Sequence, residues 1–420
     1  MLAAACGGPK EEAAEDETVA IDEAAKSDDA ATMSADADRA QAPQAAIQFT
    51  AHMLDAPPLG LPPIPEPADN PTTAEKIKLG EVLFNDARFS ATGEVSCSTC
   101  HDPAKAFTDK TGPIPVSVGV NGLTGTRNAP TVINAAYLKS QFWDGRRPSL
   151  EAQSLDPFLN PVEMALSDHQ PILNIVRHDE TYGGLFQSAF GISGGAITID
   201  HVAKAIGAFE RVVVAGDSPF DRFYFAGETD AINDAAKRGF AVFLTQGRCV
   251  SCHTISQTHA LFTDNRFHNL GIGFDRIEDD AQTVVGAFLA SARTDREVDE
   301  ALLGDVNISE IGRFAVSRQM QDIGQFKTMT LRNIAATAPY MHDGSLKTLR
   351  QVVDFYNTTI PPDQDQNGEA NAFQSGGIRP LDLSEEQVSD LVAFLESLTS
   401  PQFEEAAQVS LANQASIDAE

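Results

Sequence analysis

Two pentapeptides of one pattern, CSTCH (Cys97 to His101) and CVSCH (Cys249 to His253), constrain this chain more than anything else in it. Two thiols three positions apart can bond both vinyl groups of a haem, and the histidine after the second thiol offers an imidazole nitrogen to the iron. The expectation is two covalently bound haem c groups, held by Cys97 and Cys100 with His101, and by Cys249 and Cys252 with His253. A zinc site built from all four thiolates is the competing use of these residues, and it leaves both histidines as spare ligands. A dithiol redox site needs a βαβ setting that the sequence lacks. Only one further cysteine, Cys6, occurs in 420 residues, so a disulfide scaffold is excluded.

The chain is long enough for two or three packed domains. Its 60 acidic and 30 basic side chains give a net charge of -30, which repels nucleic acid and anionic lipid and favours basic partners. Part of the imbalance opens the chain: residues 10–48 have no aromatic side chain and carry eleven acidic against three basic ones. Ordering them would cost backbone entropy without burial in return, so a disordered acidic tether is expected. Before it, MLAAACGG is a small-residue run ending at Cys6 and resembles a bacterial lipoprotein cleavage site. A lipid on Cys6 is the expected form of any membrane attachment, since no apolar window approaches the length of a span.

Beyond the Pro-rich lead-in PPLGLPPIPEPADNP, helical spacings dominate and period-two alternation is scarce. Thr72 and Glu75 stand at capping-box spacing before a helix through Leu79, Val82 and Leu83. Ser384 and Gln387 do the same before the stripe Val388, Leu391, Val392, Leu395 and Leu398. Lys78, Gly80 and Phe84 recur as Lys237, Gly239 and Phe243 at constant offset, each trio preceding a CxxCH loop. A mostly α protein of two related units follows, with long ordered loops such as DKTGPIPVSVGVNGLTGTRNAP.

Taken with LGEVLFNDARFS, CSTCHDPAKAFTD, GTRNAPTVIN, FWDGRRPSLEAQ, NPVEM and FKTMTLRNIAATAPYMHDGSLKTLRQVVDFYN, the chain resembles the bacterial di-haem cytochrome c peroxidases and their MauG-type relatives over about residues 71–400. The resemblance implies two cytochrome c-like helical domains, 55–225 with a peroxidatic haem and 226–400 with an electron-transfer haem. Residues 1–54 then form the leader and linker, and 401–420 a C-terminal tail. It makes His101 the proximal ligand of the first haem, Glu163 the distal acid and Gln153 a distal amide. Moving a proton between the oxygens of a bound hydroperoxide is a suitable task for such an acid. It also makes Trp143 an electron relay between the haems, and Asn128, Thr337 and Pro339 the ligands of an inter-haem calcium ion, whose preference for oxygen donors they suit. His342 and His268 are expected to orient propionates or loops.

Two positions depart from the peroxidase pattern. Val120 stands where the classical members place a histidine that closes the first haem, and no histidine occurs between His101 and His169. Tyr356 stands where they place a methionine ligand of the second haem, as in MauG; Met320, Met329 and Met341 are the alternatives. A phenolate favours ferric and higher oxidation states, whereas a thioether raises the potential. The expected function is a periplasmic peroxidase-type oxidoreductase that reduces hydrogen peroxide with electrons from a small cytochrome c or copper protein. The alternatives are a MauG-like enzyme that oxidises side chains of a protein substrate, and a two-haem electron carrier without a substrate.

Overall fold

The computed structural model describes residues 49–109, 115–358 and 373–419. The expected tether and Cys6 lie outside the described residues, as do positions 110–114 of the Gly- and Pro-rich loop. The described chain is mostly helical. Its one strand pair is Phe267–His268 antiparallel to Phe326–Lys327. Among the described residues no helix is long and apolar enough to cross a membrane.

Two helix crossings organise the fold. In the first, Ala74–Phe84 packs against Ile199–Val212 at Gly80, where a Cβ would overlap the Ala205 carbonyl oxygen. Phe84 stacks obliquely on Phe209 one turn further on, with ring centroids 5.3 Å apart. In the second, Asp234–Leu244 packs against Glu385–Glu396 at Gly239, where a Cβ would overlap the Asp390 carbonyl, and Phe243 meets Phe394 at 5.0 Å. Backbones approach this closely only where one residue has no side chain. The recurrence of Gly80 and Phe84 as Gly239 and Phe243 is therefore the recurrence of one packing contact.

The caps follow the sequence with one shift. Ser384 and Gln387 form the expected box, and Val388, Leu391, Leu395 and Leu398 are buried. At the first helix the cap is Thr73, whose hydroxyl accepts the Lys76 amide; Thr72 instead donates its own amide to Glu66. Thr73 has the extended backbone a cap requires.

The repeat extends into the loops. Asn134 and Asn333 are both left-handed, donate their amides to Val213 and Leu398, and accept from Ala215 and Ser400 through their side chains. Isolated bridges Gln141–Arg147 and Tyr340–Leu346 close the equivalent turns that carry Trp143 and His342. The two units are not laid side by side as separate bodies. Gln48–Glu420 forms one compact unit, and Asp295–Gly304, from the second half of the sequence, packs over the first half. The expected tail instead forms the helix Glu404–Asp418, whose Gln414 accepts the Leu349 amide.

Candidate functional site

Each CxxCH loop ends on a histidine oriented by the same device. His101 Nδ1 hydrogen-bonds the Phe107 carbonyl at 3.3 Å, and His253 Nδ1 the Phe262 carbonyl at 2.8 Å. Phe107 and Phe262 are both left-handed, a costly conformation for an aromatic residue that turns the carbonyl inward. Thr131 and Thr330 hold the preceding carbonyls, at 2.6 and 2.8 Å. Burial depresses both imidazoles, which favours the neutral ring, and Nδ1, bonded to a carbonyl in each, assigns the lone pair to Nε2.

Cys249, Cys252 and His253 open onto a cavity of about 360 Å³ that Cys97 and Cys100 do not line. The four cysteines therefore serve two places, which sets aside the single four-thiolate zinc site. Tyr356, Trp143 and the cluster of Asn128, Thr337 and Pro339 also line this cavity. Tyr356 is buried, which pushes its hydroxyl up. Met329 and Met341 reach the same cavity, but the Met329 carbonyl lies beside His253, on the histidine's own side. Met320 is 47% exposed and does not line it, so it is corrected as a ligand candidate. His268 pairs with Asp264 at 3.1 Å and neighbours Cys252, and these contacts push it up to about 9.

The first site is built differently. Cys97 and Cys100 begin and end a one-turn helix, and burial lifts both thiols, Cys100 to about 12 with the charge of Glu163 contributing. Glu163 lies in the turn after Asp156–Leu159. Its amide donates to Asn160 and its carbonyl accepts from Val120 at 2.9 Å. Burial, then the nearby Asp299, raises its carboxyl to about 8. Val120 is 1% exposed, so the position of the expected missing histidine is a packed hydrocarbon against the backbone of the acid. Gln153 ends the helix Leu150–Gln153, and its counterpart in the second half, Val352, lines the second cavity.

Between the sites, Trp143 Nε1 donates to the Asn128 carbonyl at 2.8 Å, and its ring meets His342 edge-on at 6.4 Å. His342 stacks on Phe326 at 3.6 Å and bonds Glu310 at 2.8 Å, so it is a buried strut behind Trp143. Asn128 Nδ2 donates to Pro339 at 2.8 Å, so the amide nitrogen faces that carbonyl where the calcium expectation needs the oxygen. Turning the amide end over would set Oδ1 there.

Sequence reading missed the brace on Glu163. Asp299, from Asp295–Gly304, accepts from Arg146 and from Asn160 Nδ2, and Asn160 Oδ1 caps the turn at Val162. No motif marks Asp299, because its partners are more than a hundred positions away. Lys327 was missed as well: its ammonium bonds the Ser140 carbonyl, and burial brings it down to about 7.

Residues 74–230 match the family model described as di-haem cytochrome c peroxidase. The methylamine utilization protein MauG of Methylorubrum extorquens is 36% identical over 80% of this chain and 81% of its own length. The cytochrome-c peroxidase IdrP1 of Denitromonas iodatirespirans is 36% identical over 82% and 86%. This chain belongs to the di-haem cytochrome c peroxidase family. A crystal structure of a MauG-like protein associated with microbial copper homeostasis superposes with a TM-score of 0.64 at 32% identity, over 83% of this chain and 97% of that one. Membership makes this di-haem peroxidase an oxidoreductase with two haem c groups. The residues fit them: two thiol pairs, two imidazoles that burial keeps neutral, and a cavity at the second loop.

Proposed function

We propose that this di-haem peroxidase reduces hydrogen peroxide at the Cys97–His101 site with electrons entering through the Cys249–His253 site. The observation that carries this reading is the pairing of a half-buried acid, Glu163, whose carboxyl is raised by desolvation, with a packed valine at position 120, which offers the iron no ligand. Haem c, when bound, supplies an iron that takes the peroxide and exchanges electrons with its partner haem. Glu163 in its carboxylate form takes the proton of the inner peroxide oxygen and returns it to the outer one; two electrons and two protons then give two waters. Gln153 would donate its amide to the peroxide. The Asp299–Asn160 brace fixes the Glu163 turn, and Trp143, hydrogen-bonded to Asn128, carries electrons between the halves. A carrier without substrate gains nothing from an acid at an accessible iron.

Tyr356 favours a second reading. As ligand of the second haem it would hold that iron in high oxidation states, and oxidising equivalents would then leave to side chains of a protein substrate, as expected of a MauG-like enzyme. Calcium held by Asn128 Oδ1 and the Thr337 and Pro339 carbonyls would brace Trp143 from behind. The lipoprotein-like start and the chemistry of haem c attachment support a periplasmic location, lipid-anchored at Cys6, and the net charge of -30 supports a basic donor or substrate. The deciding experiment adds one equivalent of hydrogen peroxide to the purified ferric protein with no reductant. An immediate Soret change is expected, and a new near-infrared band with it would favour side-chain oxidation. Silence until one haem is reduced would overturn the open first site.

A further inference from the structure

The two halves differ at a buried position that the chemistry above does not use. Their second crossing helices correspond residue by residue: Ala205 with Asp390, Phe209 with Phe394, Val213 with Leu398 and Ala215 with Ser400. The same register sets Glu210 on Leu395, and Val213 and Leu398 donate their amides to these two residues' carbonyls. Leu395 lines the second cavity. Glu210 therefore presents a carboxyl to the first site where the second site has hydrocarbon.

That carboxyl is 6% exposed, and its Oε2 is buried with no hydrogen-bond partner. An orphaned carboxyl oxygen inside a protein is costly and uncommon. Three groups face it. Cys97 stands on the attachment loop, close enough for Glu210's charge to lift its thiol. Glu151 approaches from Leu150–Gln153 and Arg211 from its own helix, repelling and attracting the charge respectively. Arg211 is spent elsewhere, bonded to Glu151 and, at 3.0 Å, to Thr72. Glu151 also receives Asn70, and Asn70 receives Lys76, so a file of polar groups leads from beside Glu210 to the surface at Thr72 and Glu66. Burial raises the Glu210 carboxyl to about 8, inside the range where it exchanges protons with water.

We propose that Glu210 is the proton-exchanging acid of the first haem: its Oε2 binds one proton when that haem gains one electron and releases it when the electron leaves. The balance is Glu210 carboxylate, ferric iron, one proton and one electron on one side, and Glu210 carboxylic acid with ferrous iron on the other. No bond to iron forms or breaks. A buried carboxylate beside an iron that has just lost positive charge is poorly stabilised, and a proton restores the local charge. The second site has Leu395 at this position, so no carboxyl there takes up a proton on reduction.

The inference rests on haem at Cys97 and Cys100 and not on the oxidised substrate. Pyridine haemochrome analysis of the full chain establishes two haems first; a single haem would strike at the family reading, not at Glu210. Spectroelectrochemical titration between pH 6 and 10 is then compared for wild type, Glu210→Gln and Glu163→Gln. In wild type, the reduction equilibrium of the first haem should shift tenfold per pH unit around pH 8, which for one electron is about 59 mV. Glu210→Gln should flatten this slope more than Glu163→Gln does, and neither should touch the second haem. A slope retained in Glu210→Gln, or lost only in Glu163→Gln, overturns the assignment. Glu210→Leu, which copies the second half, serves if the glutamine variant does not load. Should both fail, Glu210→Asp must move the protonated-carboxyl band in the infrared redox-difference spectrum, and an unmoved band overturns the proposal.

Discussion

The two halves share a proximal wall and part company at one proline. After the equivalent turns carrying Trp143 and His342, each chain enters a helix capped by a hydroxyl, Ser149 in one and Thr348 in the other. In the second half the helix runs on from Leu349 to Thr358 and brings Tyr356 into the cavity. In the first it stops at Gln153, because Pro157 has no amide to give the Gln153 carbonyl. The chain then folds back through Asp156–Leu159 and returns Glu163 to the site. One scaffold thus yields a wall that carries Tyr356 and a wall that carries Glu163. The change lies in how the helix ends, not in how the haem is attached.

The harshest way to break that comparison is to remove either attachment. Cys97→Ala with Cys100→Ala, and separately Cys249→Ala with Cys252→Ala, should each lower the haem count from two to one by pyridine haemochrome, and only the first pair should abolish peroxide reactivity. Next in size, Glu163→Gln should slow the peroxide-driven Soret change by roughly 10²–10⁴-fold in stopped flow. The carboxylate is the active form and its carboxyl titrates at about 8, so the wild-type rate should rise as pH increases through that value while the variant's stays flat. A flat wild-type profile would remove Glu163 from the proton path. Tyr356→Met should raise the potential of the second haem by a fraction of the about 0.8 V that axial ligands span, leaving the first where it was. An unchanged second potential would move the ligand to Met341.

Smaller effects test what the halves share. Gly80→Ala and Gly239→Ala should each destabilise the fold by about 1–3 kcal/mol in chemical denaturation, since the added methyl meets backbone and not a movable side chain. Unequal losses would show that one crossing tolerates spreading. Smallest of all, Thr131→Val and Thr330→Val each remove one bond to the loop that orients a histidine, worth about 1 kcal/mol, and both should perturb the iron–histidine stretch by resonance Raman.

The attachment loops, the capping box at Ser384 and the glycine–phenylalanine repeat were legible because each is written in neighbouring positions. The repeat looked short in the sequence because its continuation is sparse: Thr131, Asn134, Asp144 and Gly145 recur as Thr330, Asn333, Asp343 and Gly344 with few matches between them, and the structure shows that Asn134 and Asn333 agree in hand and partners. Glu163, Gln153 and Tyr356 were reached by family resemblance, and the structure supplies their walls. Asp299 and Glu210 stayed hidden for different reasons. Asp299 acts through partners remote in sequence, and Glu210 stands out only when its helix is laid on the one that carries Leu395. Thr73 displaced Thr72 as cap because hydroxyl spacing alone cannot separate adjacent threonines; the extended backbone decides.

The Arg146–Asp299 contact joins residues 153 positions apart. During synthesis the ribosome delivers Cys97 and the Glu163 turn long before the helix that braces them exists. A truncated chain ending near residue 225 could display its thiols to the attachment machinery, yet it would carry an acid without its anchor. The anchor of the Glu163 turn is thus among the last parts of the site to be made, and the turn takes its final geometry only when the last third of the chain has folded onto the first.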